Sequence, residues 1–203
     1  MEDAQLKALI ESLIFVSETP LSLERIKEVL RDLNRRDLRR LLCELLEEYE
    51  RSQRGFTLVE VAGGFQFRTR PEHAEWIKKL KKTKPLALTQ PALETLAIVA
   101  YRQPIVRADV ERIRGVDSGG VLRTLLERKL VKILGKKDVP GRPIVYGTSK
   151  RFLEIFGLKD LSSLPTLKDI ERLAPPSLQE LGPAEEKEAA AHERPSEAAE
   201  DSL

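Results

Sequence analysis

Apolar residues recur at spacings of three and four from the start of the chain. Leu6, Leu9, Ile10, Leu13 and Ile14 mark one face of a helix over residues 3–17. Glu18-Thr19-Pro20 interrupts it, and Ser22 is placed to cap a second helix whose apolar face is Leu23, Ile26, Val29, Leu30 and Leu33. Asn34, with Asp37 three residues on, opens a third helix carrying Leu38, Leu41, Leu42, Leu45, Leu46 and Tyr49. After Gly55 the period drops from 3.6 to 2. Residues 56–61 and 65–69 read as strands around Ala62-Gly63-Gly64, and the glycine pair is expected to supply the positive φ angles of a tight hairpin turn. Pro71 through Leu80 reads as a short connecting helix, followed by a lysine-rich linker into Pro85.

Residues 88–104 are the most apolar helix-sized stretch. Thr89 is the expected N-cap, with its hydroxyl accepting a backbone N–H, and Pro91 sits in the first turn where its missing N–H costs nothing. An unbroken apolar run from Leu96 to Tyr101 predicts a helix buried on several sides, which Pro104 stops. From here the first half repeats itself. Pro104-Ile105, Val110 and Ile113 match Pro20-Leu21, Ile26 and Val29 at a constant offset of 84 residues. Ser118 reads as the cap of the next helix, which holds Val121, Leu122, Leu125, Leu126 and Leu130. Residues 131–134 and 143–146 then bracket a Gly/Pro-rich loop, 135–142. Three helices and a two-stranded hairpin are the grammar of a winged helix. The expected fold is therefore mainly α with small β-hairpins (α+β): two tandem winged-helix domains, 1–84 and 85–170. Phe152, Leu153, Ile155, Phe156 and Leu158 should pack back on the second domain, with Leu161, Leu164 and Leu167 extending that element. The tail, 171–203, is rich in Ala, Glu, Pro and Ser and reads as disordered and acidic.

Charge is segregated along this plan. Residues 1–80 carry 14 Lys/Arg against 15 Asp/Glu, residues 81–160 carry 17 against 8, and residues 161–203 carry 4 against 10. The basic middle fits an acidic partner, nucleic acid or protein, or partial neutralisation by the tail. Within the third helix Arg35, Arg36, Arg39 and Arg40 precede Glu44, Glu47, Glu48 and Glu50, against the helix dipole, so a partner for those arginines is conceivable but not required. No apolar run reaches the ~20 residues of a membrane span, and one cysteine, Cys43, fits a reducing compartment.

The chemistry of catalysis is missing. Two histidines, His73 and His192, lie far from Cys43, no phosphate-cradling loop occurs, and the carboxylates sit on polar helix faces. No metal or other cofactor is expected. A helix-turn-helix reads bases with the start of its third helix, but in the second domain that start is Ser118-Gly119-Gly120, which has no long side chain to reach a base edge. A sequence-specific reader is thus a poor fit, whereas Arg123, Arg128, Lys129, Lys136, Lys137 and Arg142 suit non-specific phosphate contact. The surplus apolar surface of residues 96–101 points to a protein interface, unless residues 152–158 cover it.

The run Leu93-Glu94-Thr95-Leu96-Ala97-Ile98-Val99-Ala100-Tyr101-Arg102-Gln103-Pro104-Ile105 has a distinctive ring. With Ile113-Arg114-Gly115-Val116, Pro140-Gly141-Arg142-Pro143, Tyr146 and Phe152-Leu153-x-x-Phe156-Gly157-Leu158, it resembles the segregation and condensation protein B family, ScpB. Gly63-Gly64-Phe65 and Thr69 fit that family's first hairpin, and Val106 stands where it often has Thr. The resemblance covers residues 5–170. It implies a cytoplasmic, nucleoid-associated and non-enzymatic adaptor that forms a homodimer through its first domain. It further implies binding to the kleisin ScpA and, through it, to the SMC ATPase, for chromosome condensation and segregation, with DNA contact indirect or weak and non-specific. Tyr101, Arg102, Gln103, Pro104, Arg112, Arg114, Gly115, Val116, Gly141, Arg142 and Pro143 are the candidate kleisin contacts or their support, with Arg102, Arg114 and Arg142 the least explained by local structure. The alternative is a winged-helix nucleic-acid-binding protein that uses the basic second domain.

Overall fold

A computed structural model describes residues 2–81, 87–166 and 169. The lysine-rich linker at 82–85, Leu167 and the tail lie outside those residues. Residues 2–81 and 87–163 belong to one compact unit.

The first half runs α1 (Asp3–Val16), α2 (Leu23–Val29), α3 (Arg35–Arg51), β1 (Phe56–Val61) and β2 (Gly64–Thr69). Ser22 Oγ accepts from Arg25 N at 3.3 Å and Asn34 Oδ1 accepts from Asp37 N at 2.8 Å, so both expected caps form. The 3.6-residue stripes close on each other: Ile10, Ile14, Ile26, Leu38, Leu41, Leu42, Leu45, Tyr49, Leu58 and Phe65 make one buried cluster. Two of the arginines at the start of α3 find acids within the chain, Arg35 with Glu24 at 2.7 Å and Arg40 with Asp3 and Glu44 at 2.8 Å each.

The hairpin turn differs from the expectation in one respect. Ala62 (φ 52°) and Gly63 (φ 75°) take the positive angles, while Gly64 already belongs to β2. Gly64 serves a close approach instead. Leu21 pairs with Phe65 through two bonds of 2.9 Å, and a Cβ on Gly64 would stand 2.8 Å from the Pro20 carbonyl.

A short turn at Pro71–His73 leads into α4 (Ala74–Lys81). The second half then repeats the order: α5 (Gln90–Arg102), β3 (Ile105–Val106), α6 (Arg107–Arg114), α7 (Gly119–Glu127), β4 (Val131–Lys136) and β5 (Ile144–Thr148). Here β3 pairs with β5, the returning strand of the hairpin, as Leu21 pairs with β2. The duplicated topology therefore extends to its bridging strand.

Two further caps differ from expectation. Thr89 occupies the N-cap of α5 without a side-chain bond, because Pro91 removes one of the N–H groups that its hydroxyl would meet. At α7, Ser118 is buried and makes no cap bond; Asp117 Oδ1 accepts from Gly119 N at 3.0 Å instead.

A final helix, α8 (Lys150–Phe156), and a turn at Leu161–Ser163 follow. Ser149 N donates to Leu130 O at 3.0 Å and Phe152 is buried, which seats α8 on the second half. It reaches the first half as well. Arg68 Nη2 donates to Glu154 O at 2.7 Å, the Ala62 and Gly63 amides donate to Leu158 O and Lys159 O at 2.9 Å each, and Lys159 pairs with Glu60 at 2.9 Å.

Candidate partner surface

α5 packs against α7, α6 and β5 and buries Ala92, Thr95, Leu96, Val99 and Ala100. It is not buried all round. Leu93, Ala97 and Tyr101, spaced four apart, lie on its exposed side, with Leu93 41% and Tyr101 44% accessible. This apolar ridge runs into the turn after the helix.

That turn is held by Gln103. Its Oε1 accepts from Thr148 N at 2.8 Å, and its Nε2 donates to Ala100 O and Thr148 Oγ1 at 3.0 Å each. Gly147 admits this contact, because a Cβ there would stand 2.9 Å from Gln103 Oε1 and 2.7 Å from Leu134 Cδ1. The Gln103–Pro104 peptide is cis, and Ile105 and Val106 pair at once with Tyr146 and Val145. Gln103 is therefore a positioning residue, flanked by the exposed Tyr101, Arg102 and Pro104.

At the other end of α5 stands Arg114, whose side chain is only 9% exposed. It meets Glu94 at 3.3 Å and Ser118 Oγ at 3.2 Å, and its Nε is buried without an acceptor among the described residues. Arg114 thus ties α6 to α5 and α7 and acts as support. Gly115, at φ 71°, closes α6, with its N–H on Glu111 O at 2.8 Å. Val116 and Arg112 are exposed, the latter paired with Asp109.

Gly141 (φ 83°), Arg142 (φ 39°) and Pro143 form the tip of the second hairpin. Thr148, which holds Gln103, is the fifth residue of β5 after Pro143, so the tip lies roughly 16 Å away along the strand. The eleven candidate residues accordingly occupy three places: the turn after α5, the turn after α6, and the hairpin tip. The ridge on α5 links the first two.

Leu93 and Gly147 escaped the sequence reading as parts of this surface, and Ala97 was seen only within the run 96–101. Leu93 and Ala97 carry a four-residue spacing with Tyr101 that the unbroken run 96–101 obscures. Gly147 had a legible signal, since a glycine inside a strand marks a close backbone approach.

Electrostatics here serve structure. Arg107 meets Glu111 at 2.6 Å and Asp117 at 2.7 Å. The Ser118 amide, 3.0 Å from Glu111 Oε1, and then Arg107 hold the Glu111 carboxyl below its ordinary value. The Arg107 guanidinium also covers Gly119, the first residue of α7, lying 2.6 Å from where a Cβ would stand. Among the described residues no group of three or more His, Cys, Asp or Glu is placed to hold a metal ion, and no helix is long and apolar enough to cross a membrane.

Residues 8–167 match the family model described as segregation and condensation complex subunit ScpB. Segregation and condensation protein B of Syntrophotalea carbinolica is 54% identical over 173 residues, covering 85% of this chain and 87% of the relative. That of Moorella thermoacetica is 48% identical over 165 residues, covering 81% and 84%. Among solved structures, a dimer of an ScpB N-terminal domain complexed with a ScpA peptide is 36% identical, covers 38% of this chain and 95% of that one, and has a TM-score of 0.35.

Proposed function

The chain belongs to the segregation and condensation protein B family, and from that premise we propose that it is a non-enzymatic adaptor that binds the kleisin ScpA. Through ScpA it joins the SMC ATPase in a condensin-like complex, in the cytoplasm and on the nucleoid. Its two halves, 1–84 and 85–170, act as tandem winged helices. The single observation that carries the contact site is the exposed row Leu93, Ala97 and Tyr101 leading into Arg102 and Pro104. An apolar helix ridge ending in a cation and a fixed turn suits a partner helix with an acidic flank. Val116 and Arg112 extend this surface, while Gln103, Arg114 and Gly115 support it. Dimerisation falls to the first half, where Phe15 and Val16 at the end of α1 are 80% and 76% exposed.

Size-exclusion chromatography with light scattering, with and without cognate ScpA, tests this reading. The expected result is a dimer that takes up ScpA. Ala97→Arg puts a long cation on the ridge at a solvent-facing helical position, and is expected to weaken ScpA binding at least about tenfold with an unchanged circular-dichroism melt. A wild-type protein that stays monomeric and elutes apart from ScpA defeats the proposal.

A further inference from the structure

Along the helices, arginines and lysines are repeatedly met by carboxylates, as Lys7 is by Glu44 and Glu48. The second hairpin is different. Residues 128–151 hold eight Lys/Arg and a single acid, Asp138. Among the described residues none of those eight takes part in an ion pair.

Three of them, Lys136, Lys137 and Arg142, gather at the hairpin tip and are exposed. The tip is fixed rather than loose: Lys137 N donates to Pro143 O at 2.9 Å, and Arg142 N to Val139 O at 2.8 Å. Arg142 sits at φ 39°, in the left-handed region that suits glycine, and yet carries a long cation there. The neighbouring start of α7 offers no base-reading side chains, since Ser118 is buried and Gly119 lies under Arg107. The surface supplies charge for phosphates and nothing to read sequence.

We propose that the β4–β5 tip, through Lys136, Lys137 and Arg142, contacts the phosphates of duplex DNA without sequence preference. The contact lies apart from the ridge on α5 and does not depend on the adaptor reading.

The test is fluorescence anisotropy of the full chain with two unrelated duplexes of about 30 base pairs, titrated between about 50 and 200 mM salt. Three released counterions give a log–log slope of about −2.7, or roughly 40-fold weaker binding across that range, equal for both duplexes. Lys136→Ala with Lys137→Ala should lower the slope by about 1.8, and Arg142→Ala by about 0.9. Lys27→Ala, a cation on α2 without an ion pair among the described residues, should leave it unchanged. All variants should keep the wild-type melt, and the Lys136→Ala/Lys137→Ala pair and Lys27→Ala should also keep ScpA binding. No anisotropy change at the lowest salt, a slope untouched by the double variant, tighter binding to one duplex, or preference for single-stranded RNA each overturns the proposal.

Discussion

Gly64 and Gly147 show that a glycine can matter for the space above it. Each lies in a strand of a hairpin, and each lets the preceding Pro-led segment approach: Pro20-Leu21 in the first half, Gln103 in the second. At Gly147 the first obstacles to a methyl are the ends of two side chains, whereas at Gly64 they are backbone atoms. Gly147→Ala should therefore lower stability by about 1–3 kcal/mol, as overpacking does, and urea unfolding reads it. Gly64→Ala should cost at least as much, because the Pro20 carbonyl cannot rotate away. The sequence shows both glycines, but not which role each plays. The pair Gly63-Gly64 looks like a turn because two adjacent glycines fit one, and only the backbone reveals that Ala62 takes the first positive φ.

Elements were legible where side-chain periodicity alone defines them. The leucine stripe of α3 and its Asn34 cap are visible because each residue acts within four positions of its partner. The caps of α5 and α7 were not, since neighbours decide them: Pro91 withholds an N–H, and the Ser118 hydroxyl is engaged by Arg114 Nη1 and the Val116 carbonyl. Glu111 shows a further longer-range effect, joining α6 to the first amide of α7. Its carboxyl is depressed in the folded chain by the Ser118 amide and Arg107, so its contribution to stability is present above its unfolded value near 4.5. That contribution disappears as the pH falls through the lower folded value. Glu111→Gln should thus melt lower than wild type at neutral pH, and the difference should shrink as the pH falls below the unfolded value. Melting temperature followed from pH 7 to pH 3 distinguishes this from a uniform loss.

The molecule as a whole adds what neither half shows. The expected docking of α8 on the second half is met by Phe152 but not by Ile155 and Phe156, which stay exposed, and the end of the helix grips the first hairpin. No pattern could reveal this, since the acceptors are main-chain carbonyls of Glu154, Leu158 and Lys159. Removing Arg68 leaves the Glu154 carbonyl without that charge-assisted bond. Arg68→Ala is expected to speed amide exchange at Ala62 and Gly63 by about tenfold or more, given a bond of roughly 1.5–3 kcal/mol. Exchange unchanged from wild type would show that the two turn amides are held without it.

Those amides also set an order of events at the ribosome. Ala62 and Gly63 are made about 95 residues before the carbonyls they meet. At roughly 5–20 residues per second, the first half waits some 5–20 s with its turn hydrated. Its leucine core is complete from residue 10 to residue 65 by then. The residues of the first half's core are thus all present, with the hairpin open, well before the carbonyls of the second half reach it.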